Sequence, residues 1–143
     1  SLHLVRTLGF SVDDRYLKRA GLDYWHLVDI HYYDSVEEVL AAYPDAPRFL
    51  LTTHAHRSYT RVEYTKDSLL IFGKESAGLP EAFRMAHEDE CIRIPMVPEA
   101  RSLNLANSVS IVLYEALRQN NFESMEQSGN LHRLHWKSEE EEK

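Results

Sequence analysis

Gly73 and Gly78 bracket a loop that follows the apolar run Leu70-Ile71-Phe72, and Ser102 and Asn104 follow a second short apolar stretch, Arg93-Ile94-Pro95-Met96. Glycine at such a place lets backbone approach a ligand or take positive φ, and a helix opening just beyond offers unpaired N–H donors. Ser and Asn are helix-capping types, so Ser102 and Asn104 read either as caps or as polar groups facing a ligand. Arg101 beside them is suited to pair with a phosphate or with an acid such as Glu99. Two strand-to-helix loops this close in sequence make a nucleotide-type pocket at the carboxyl edge of a parallel sheet. The spacing is neither that of a P-loop, since no Lys-Ser/Thr pair follows, nor that of the dinucleotide fingerprint. A glycine loop alone also reads as a plain turn.

Other chemistries find less support. His54 and His56 stand at i, i+2 with no third ligand at usual spacing, so no metal site is expected. No Gly-x-Ser-x-Gly elbow or Cys/His pairing signals nucleophilic catalysis. The single Cys91 precedes an apolar strand and reads as a structural thiol. Arg15, Lys18 and Arg19 would share one helix side, either as an RNA-phosphate contact or as a solvated face. Tyr24-Trp25 and Tyr32-Tyr33 read as base-stacking groups or as core.

The elements that must carry these residues alternate. Leu2 to Arg6 reads as a strand running into a turn at Gly9. Ser11-Val12-Asp13-Asp14 is a capping-box start for a short helix that stops near Gly21. His26–Tyr33 is a strand candidate, and Ser35-Val36-Glu37-Glu38 caps a helix that must end by Pro44. Arg48 to Thr53 is a near-continuous apolar run, the pattern of a strand buried on both faces. Ser68–Phe72 and Ile92–Ile94 read as further strands, and Pro80 suits the first turn of a helix to about Met85. Leu103, Ala106, Val109, Leu113, Ala116 and Leu117 fall on one stripe of a long helix ending near Asn120. This order predicts an α/β fold with a largely parallel sheet flanked by helices.

Size and charge bound the rest. At 143 residues the chain can bury roughly two-thirds of its unfolded surface. We read residues 1–122 as one domain and 123–143 as an irregular acidic tail, with four Glu against two Lys in its last seven residues. The net charge of -7 argues against a strong non-specific polyanion binder. No apolar run approaches the roughly 20 residues of a membrane helix, and the N-terminus lacks the pattern of a secretion signal. A cytoplasmic, reducing compartment without membrane association is expected.

Taken together, several ordered blocks resemble the SPOUT superfamily of RNA methyltransferases, and most closely its TrmL-type branch. They are Leu8-Gly9-Phe10-Ser11, Asp13-Asp14, Lys18 through Tyr24, the Phe72-Gly73-Lys74-Glu75 to Gly78-Leu79-Pro80 loop, Ile92 through Met96, Arg101 through Leu105, and Tyr114 through Gln119. The resemblance implies a parallel α/β fold whose C-terminal segment forms a deep trefoil knot, a feature rare in proteins. It implies S-adenosyl-L-methionine as cofactor, a homodimer, and 2′-O-methylation of the wobble nucleotide of leucine tRNAs. Carried over by position, the cofactor contacts would be Leu51, Gly73, Ile94 and Ser102, with Glu75, Met96 and Asn104 as neighbours. Tyr114 would lie near the dimer interface and the catalytic centre.

The family begins with a strand and helix carrying an Asn-x-Gly-x-x-x-Arg pattern, and this sequence starts after it. That Arg is the family's candidate for activating the ribose hydroxyl, a poor nucleophile near neutral pH. The catalytic residue is accordingly open, with Ser102, Asn104 and Tyr114 as weak candidates. A non-catalytic RNA- or cofactor-binding paralogue is the alternative function. An unrelated nucleotide-binding α/β domain is the third reading.

Overall fold

The computed structural model describes residues 1–5, 29–73, 80–100 and 103–137. The chain divides into two compact units, residues 1–46 and 47–143. The expected helix from Ser11 to Gly21 lies outside the described residues, as do Arg15, Lys18, Arg19, Tyr24 and Trp25.

The first unit holds strand β1 (Leu2–Val5), strand β2 (Ile30–Tyr33) and helix α1 (Val36–Ala42). β1 and β2 pair in parallel, Leu2 opposite Ile30 and Val5 opposite Tyr33. Ser35 caps α1 as its sequence predicts, its side chain accepting from the Glu38 amide at 3.3 Å. The Glu38 carboxylate reaches back one residue further than in a standard capping box, to the Asp34 amide at 2.9 Å. The helix stops at Ala42, two residues short of Pro44, where the residue before proline is barred from helical backbone.

The second unit is built on a three-stranded parallel sheet in the order β4-β3-β5. Its strands are β3 (Arg48–Leu51), β4 (Leu69–Ile71) and β5 (Cys91–Ile92). Leu50 stands opposite both Ile71 and Cys91, so the three carboxyl ends are level. Helix α2 (Glu81–Ala86) leads into β5, and helix α3 (Leu105–Gln119) follows it. β5 is shorter than the expected Ile92–Ile94 strand and begins one residue earlier. Past Ile92 the chain turns to pair Arg93 with Ser58 in a single parallel bridge.

The alternation of strand side chains divides the core into two layers. Leu50, Cys91 and Ala55 pack with Ile71 and with Phe83 of α2. Ile92, Val62 and Tyr64 pack with Phe49, Leu51, Leu70 and Phe72 and with Val112 and Ala116 of α3. β3 is thus covered on both faces, as its apolar run predicts. Leu50, Ile92 and Val112 are completely buried, each contributing about 1.5–3 kcal/mol by removal from water.

α3 departs from its expected orientation. Val112 and Ser108 are its buried residues, whereas Leu103, Ala106 and Leu113 of the predicted stripe are exposed. At 3.6 residues per turn, the packed face is rotated about a quarter turn from the apolar stripe. The reason is polar. Ser108 returns its hydroxyl to the Asn104 carbonyl at 3.0 Å, and Gln119 bonds backbone of the neighbouring layer. Both can therefore sit inward at little cost, which a count of apolar residues alone does not anticipate.

Candidate cofactor site at the carboxyl edge of the sheet

Parallel strands spaced about 4.8 Å apart bring three loop starts together. Leu51 ends β3, Gly73 stands two residues past the end of β4, and Ile94 two residues past the end of β5. With β3 central, the outer two starts are roughly 10 Å apart, a width set by that strand spacing. Leu51, Gly73, Ile94 and Met96 are all half-buried. Leu51, Phe72 and Ile94 belong to the α3-side apolar layer. The edge is therefore lined by apolar side chains. Among the described residues, the amides of Gly73, Ile94 and Met96 have no backbone partner.

The end of β3 is pinned by the Thr52 amide donating to the Ile92 carbonyl at 2.9 Å. The Thr52 hydroxyl accepts from the His54 amide and from Arg84 Nη1, each at 3.2 Å. Arg84 was not singled out by sequence reasoning. Its Nε–H is buried without a hydrogen-bond partner among the described residues, so α2 holds a cation beside the end of the central strand. The only sequence signal for it was one arginine inside the otherwise apolar Ala82-Phe83-Arg84-Met85-Ala86 stretch.

Asn104 is the N-cap of α3. Its side-chain oxygen accepts from the Ala106 and Asn107 amides at 2.9 and 3.3 Å, worth about 1 kcal/mol. That oxygen is committed to the helix, and among the described residues its amide NH2 has no hydrogen-bond partner. Tyr114 stands ten residues along α3 and is 54% exposed; at 1.5 Å per residue it is roughly 15 Å from the cap. Asn104 and Tyr114 are therefore not brought together within one chain. Arg101, Ser102, Glu75 and Gly78 lie outside the described residues.

Cys91 is buried, its thiol directed at the Arg84 and His87 carbonyls. Burial pushes its pKa up, outweighing the opposing pull of Arg84. A raised thiol pKa suits a structural group and not a nucleophile. A cavity of about 430 Å3 lies at the opposite end of the sheet, lined by Thr65, Lys66 and Leu70 before and in β4 and by Leu113, Leu117 and Asn120 of α3. It is distinct from the strand-end site.

A neutral adenosine joined to a sulfonium requires apolar cover and backbone hydrogen bonds more than countercharge. Amides without a backbone partner among the described residues and the apolar lining at the carboxyl edge fit such a group. Parallel α/β sheets as a class take their ligands at this edge.

The chain belongs to the SpoU rRNA Methylase family, whose family model matches residues 1–114. A Bacillus subtilis protein named "Putative tRNA (cytidine(34)-2'-O)-methyltransferase" is 45% identical over 128 residues, covering 87% of this chain and 80% of the relative. A solved structure described as giving structural insights into the 2-OH methylation of C/U34 on tRNA is 42% identical. It superposes with a TM-score of 0.77 over 85% of this chain and 79% of its own. The SpoU methyltransferase AviRb from Streptomyces viridochromogenes, solved with the cofactor AdoMet, is 30% identical with a TM-score of 0.59, covering 73% of this chain and 44% of its own.

Proposed function

We propose that the chain is an S-adenosyl-L-methionine-dependent tRNA 2′-O-methyltransferase acting on the ribose of the wobble nucleotide, cytidine or a modified uridine, of leucine tRNAs. The observation that carries this reading is 45% identity across four-fifths of a relative named for 2′-O-methylation of cytidine 34 of tRNA. The level strand ends with unpaired amides support the cofactor half of it.

In this reading Leu51, Gly73, Ile94 and Ser102 hold the cofactor, with Glu75, Met96 and Asn104 beside it. The cofactor supplies an electrophilic methyl on a sulfonium. The chain's own contribution is to present that group in a dry slot and to hold the ribose 2′-oxygen in near-attack alignment, which supplies much of the rate. The proton leaving the 2′-hydroxyl must reach a base. Asn104 has its oxygen occupied by the cap, and Tyr114 lies about 15 Å along α3 from it. Tyr114 therefore serves at the cofactor site of a second copy.

The reading includes a homodimer and a knotted C-terminal segment within a methyltransferase domain at residues 1–122. The open face of α3, where Leu113 and Tyr114 are 41% and 54% exposed, supports a dimer contact. No described helix is long and apolar enough to cross a membrane.

Isothermal titration of S-adenosylhomocysteine into the 143-residue chain, with light scattering on the same sample, tests this reading. Micromolar binding by a dimer is expected. A folded protein that does not bind it would contradict the cofactor assignment.

A further inference from the structure

We propose that the segment Leu131–Lys137 is an RNA-contacting arm, in which Arg133 and Lys137 neutralise phosphates and Trp136 stacks on an unpaired base. It deepens the tRNA reading above and rests on it.

The arm is set up by the end of α3. Asn120 caps the helix and donates its side-chain amide to the Tyr64 carbonyl at 3.1 Å. Asn121, Phe122 and Ser124 then take left-handed backbone, at φ of 61°, 49° and 63°. None is glycine, and such backbone persists only where its surroundings hold it. Here they are held: the Phe122 amide bonds the Leu117 carbonyl at 2.8 Å, and Glu123 pairs with Lys66. The chain therefore leaves α3 in a defined turn.

Beyond it, residues 126–137 contain neither helix nor strand. One contact closes the stretch into an arc, the Trp136 indole N–H donating to the Gly129 carbonyl at 3.0 Å. That bond uses the ring's edge and leaves the ring itself 65% exposed. Leu134, two residues earlier, is 73% exposed.

The sequence from Gly129 to Lys137 has no acidic residue, and it interleaves His132, Arg133, His135 and Lys137 with Leu131, Leu134 and Trp136. Among the described residues none of these four basic side chains has an ion-pair partner. In a chain of net charge -7, polyanion contact must come from local clusters, and this is one. Exposed tryptophan among cations is the chemistry that binds single-stranded nucleic acid, by stacking on bases and tracking phosphates. A wobble nucleotide lies in a single-stranded loop whose bases can be splayed onto such a ring. The apolar residues of the arm do not share one face of a regular element, so a second copy docked on them would gain little and would desolvate both cations.

The test is binding of a tRNA transcript with cytidine at position 34 to the full chain, with saturating S-adenosylhomocysteine, across a salt series. Arg133→Gln with Lys137→Gln should raise Kd about tenfold and flatten the slope of log K against log salt by about 1.4, two single-strand phosphate contacts. Trp136→Ala should raise Kd about tenfold, in the range measured for base stacking, and Trp136→Phe should restore most of it. Cofactor affinity and oligomeric state should be unchanged in all three. Kd within twofold of wild type in both the charge and alanine variants would overturn the arm alone. A change of oligomeric state would also overturn it and assign the segment to an interface between copies. Failure of the wild-type chain to bind the transcript would overturn the tRNA reading and the arm together.

Discussion

Gln119, near the end of α3, clamps the chain on either side of Glu63. Its Nε2 donates to the Val62 carbonyl and its Oε1 accepts from the Tyr64 amide, both at 2.9 Å. One side chain thereby satisfies two backbone groups of a stretch that lies in no sheet. It fixes the long helix over the Val62, Tyr64, Ile92 and Val112 core. Replacing it with leucine leaves both groups unpaired at about 1–3 kcal/mol each. Gln119→Leu should therefore lower the unfolding free energy in urea by about 2–6 kcal/mol, and a loss below about 0.5 kcal/mol would show that water replaces the clamp.

Tyr64 carries a second, pH-dependent part of the same packing. Its hydroxyl donates to the Tyr59 carbonyl at 2.5 Å, and burial, with Glu115 nearby, pushes its pKa up to about 12. An exposed phenol releases its proton near pH 10. The folded state thus holds the proton more tightly, so this contribution is whole below about pH 10 and is lost as pH climbs through 12. Wild-type thermal stability should fall steeply over that interval. Tyr64→Phe should be less stable at pH 8 and show a shallower alkaline fall, and an unchanged alkaline limb would contradict the assignment.

The Cys91 thiol should be inert in the native state. Burial raises its pKa and removes it from solvent, whereas alkylating reagents need an accessible thiolate. Iodoacetamide at pH 8 should modify the folded chain many times more slowly than the urea-unfolded chain. Fast, stoichiometric labelling of folded protein would mean that the layer over β5 opens readily.

The cofactor assignment makes its own demands. Gly73→Val should abolish measurable S-adenosylhomocysteine binding, because a β-branched side chain fills the approach to the unpaired backbone amides. Ser102→Ala should weaken binding less. Arg15, Lys18 and Arg19 changed together to Glu should weaken tRNA binding and leave cofactor affinity intact. Unchanged cofactor affinity in both of the first two variants would remove the strand-end site.

The strands were legible because parallel strands covered on both faces are apolar where they are covered, as Phe49 to Leu51 shows. Capping chemistry was equally readable at Ser35 and Asn104, where a short oxygen-bearing side chain meets free amides. The orientation of α3 was not readable. Apolar periodicity pointed to Leu113 and Ala106, while Ser108 and Gln119 turn inward because backbone partners await them. For Gln119 no local pattern announces a partner more than fifty residues away in sequence. Arg84 escaped because its partner Thr52 lies 32 residues away. The basic-aromatic stretch at Leu131–Lys137 was masked by the four glutamates at 139–142, which gave the whole tail the look of an acidic one.

The central claim is tested most directly by incubating the chain with S-adenosyl-L-methionine carrying a labelled methyl group and a leucine tRNA transcript. The modified nucleotide is then mapped by mass spectrometry. One methyl on the ribose of nucleotide 34 is predicted, with none on a transcript already 2′-O-methylated there. A folded, cofactor-binding chain that transfers no methyl to that ribose, or transfers it elsewhere, would contradict the account.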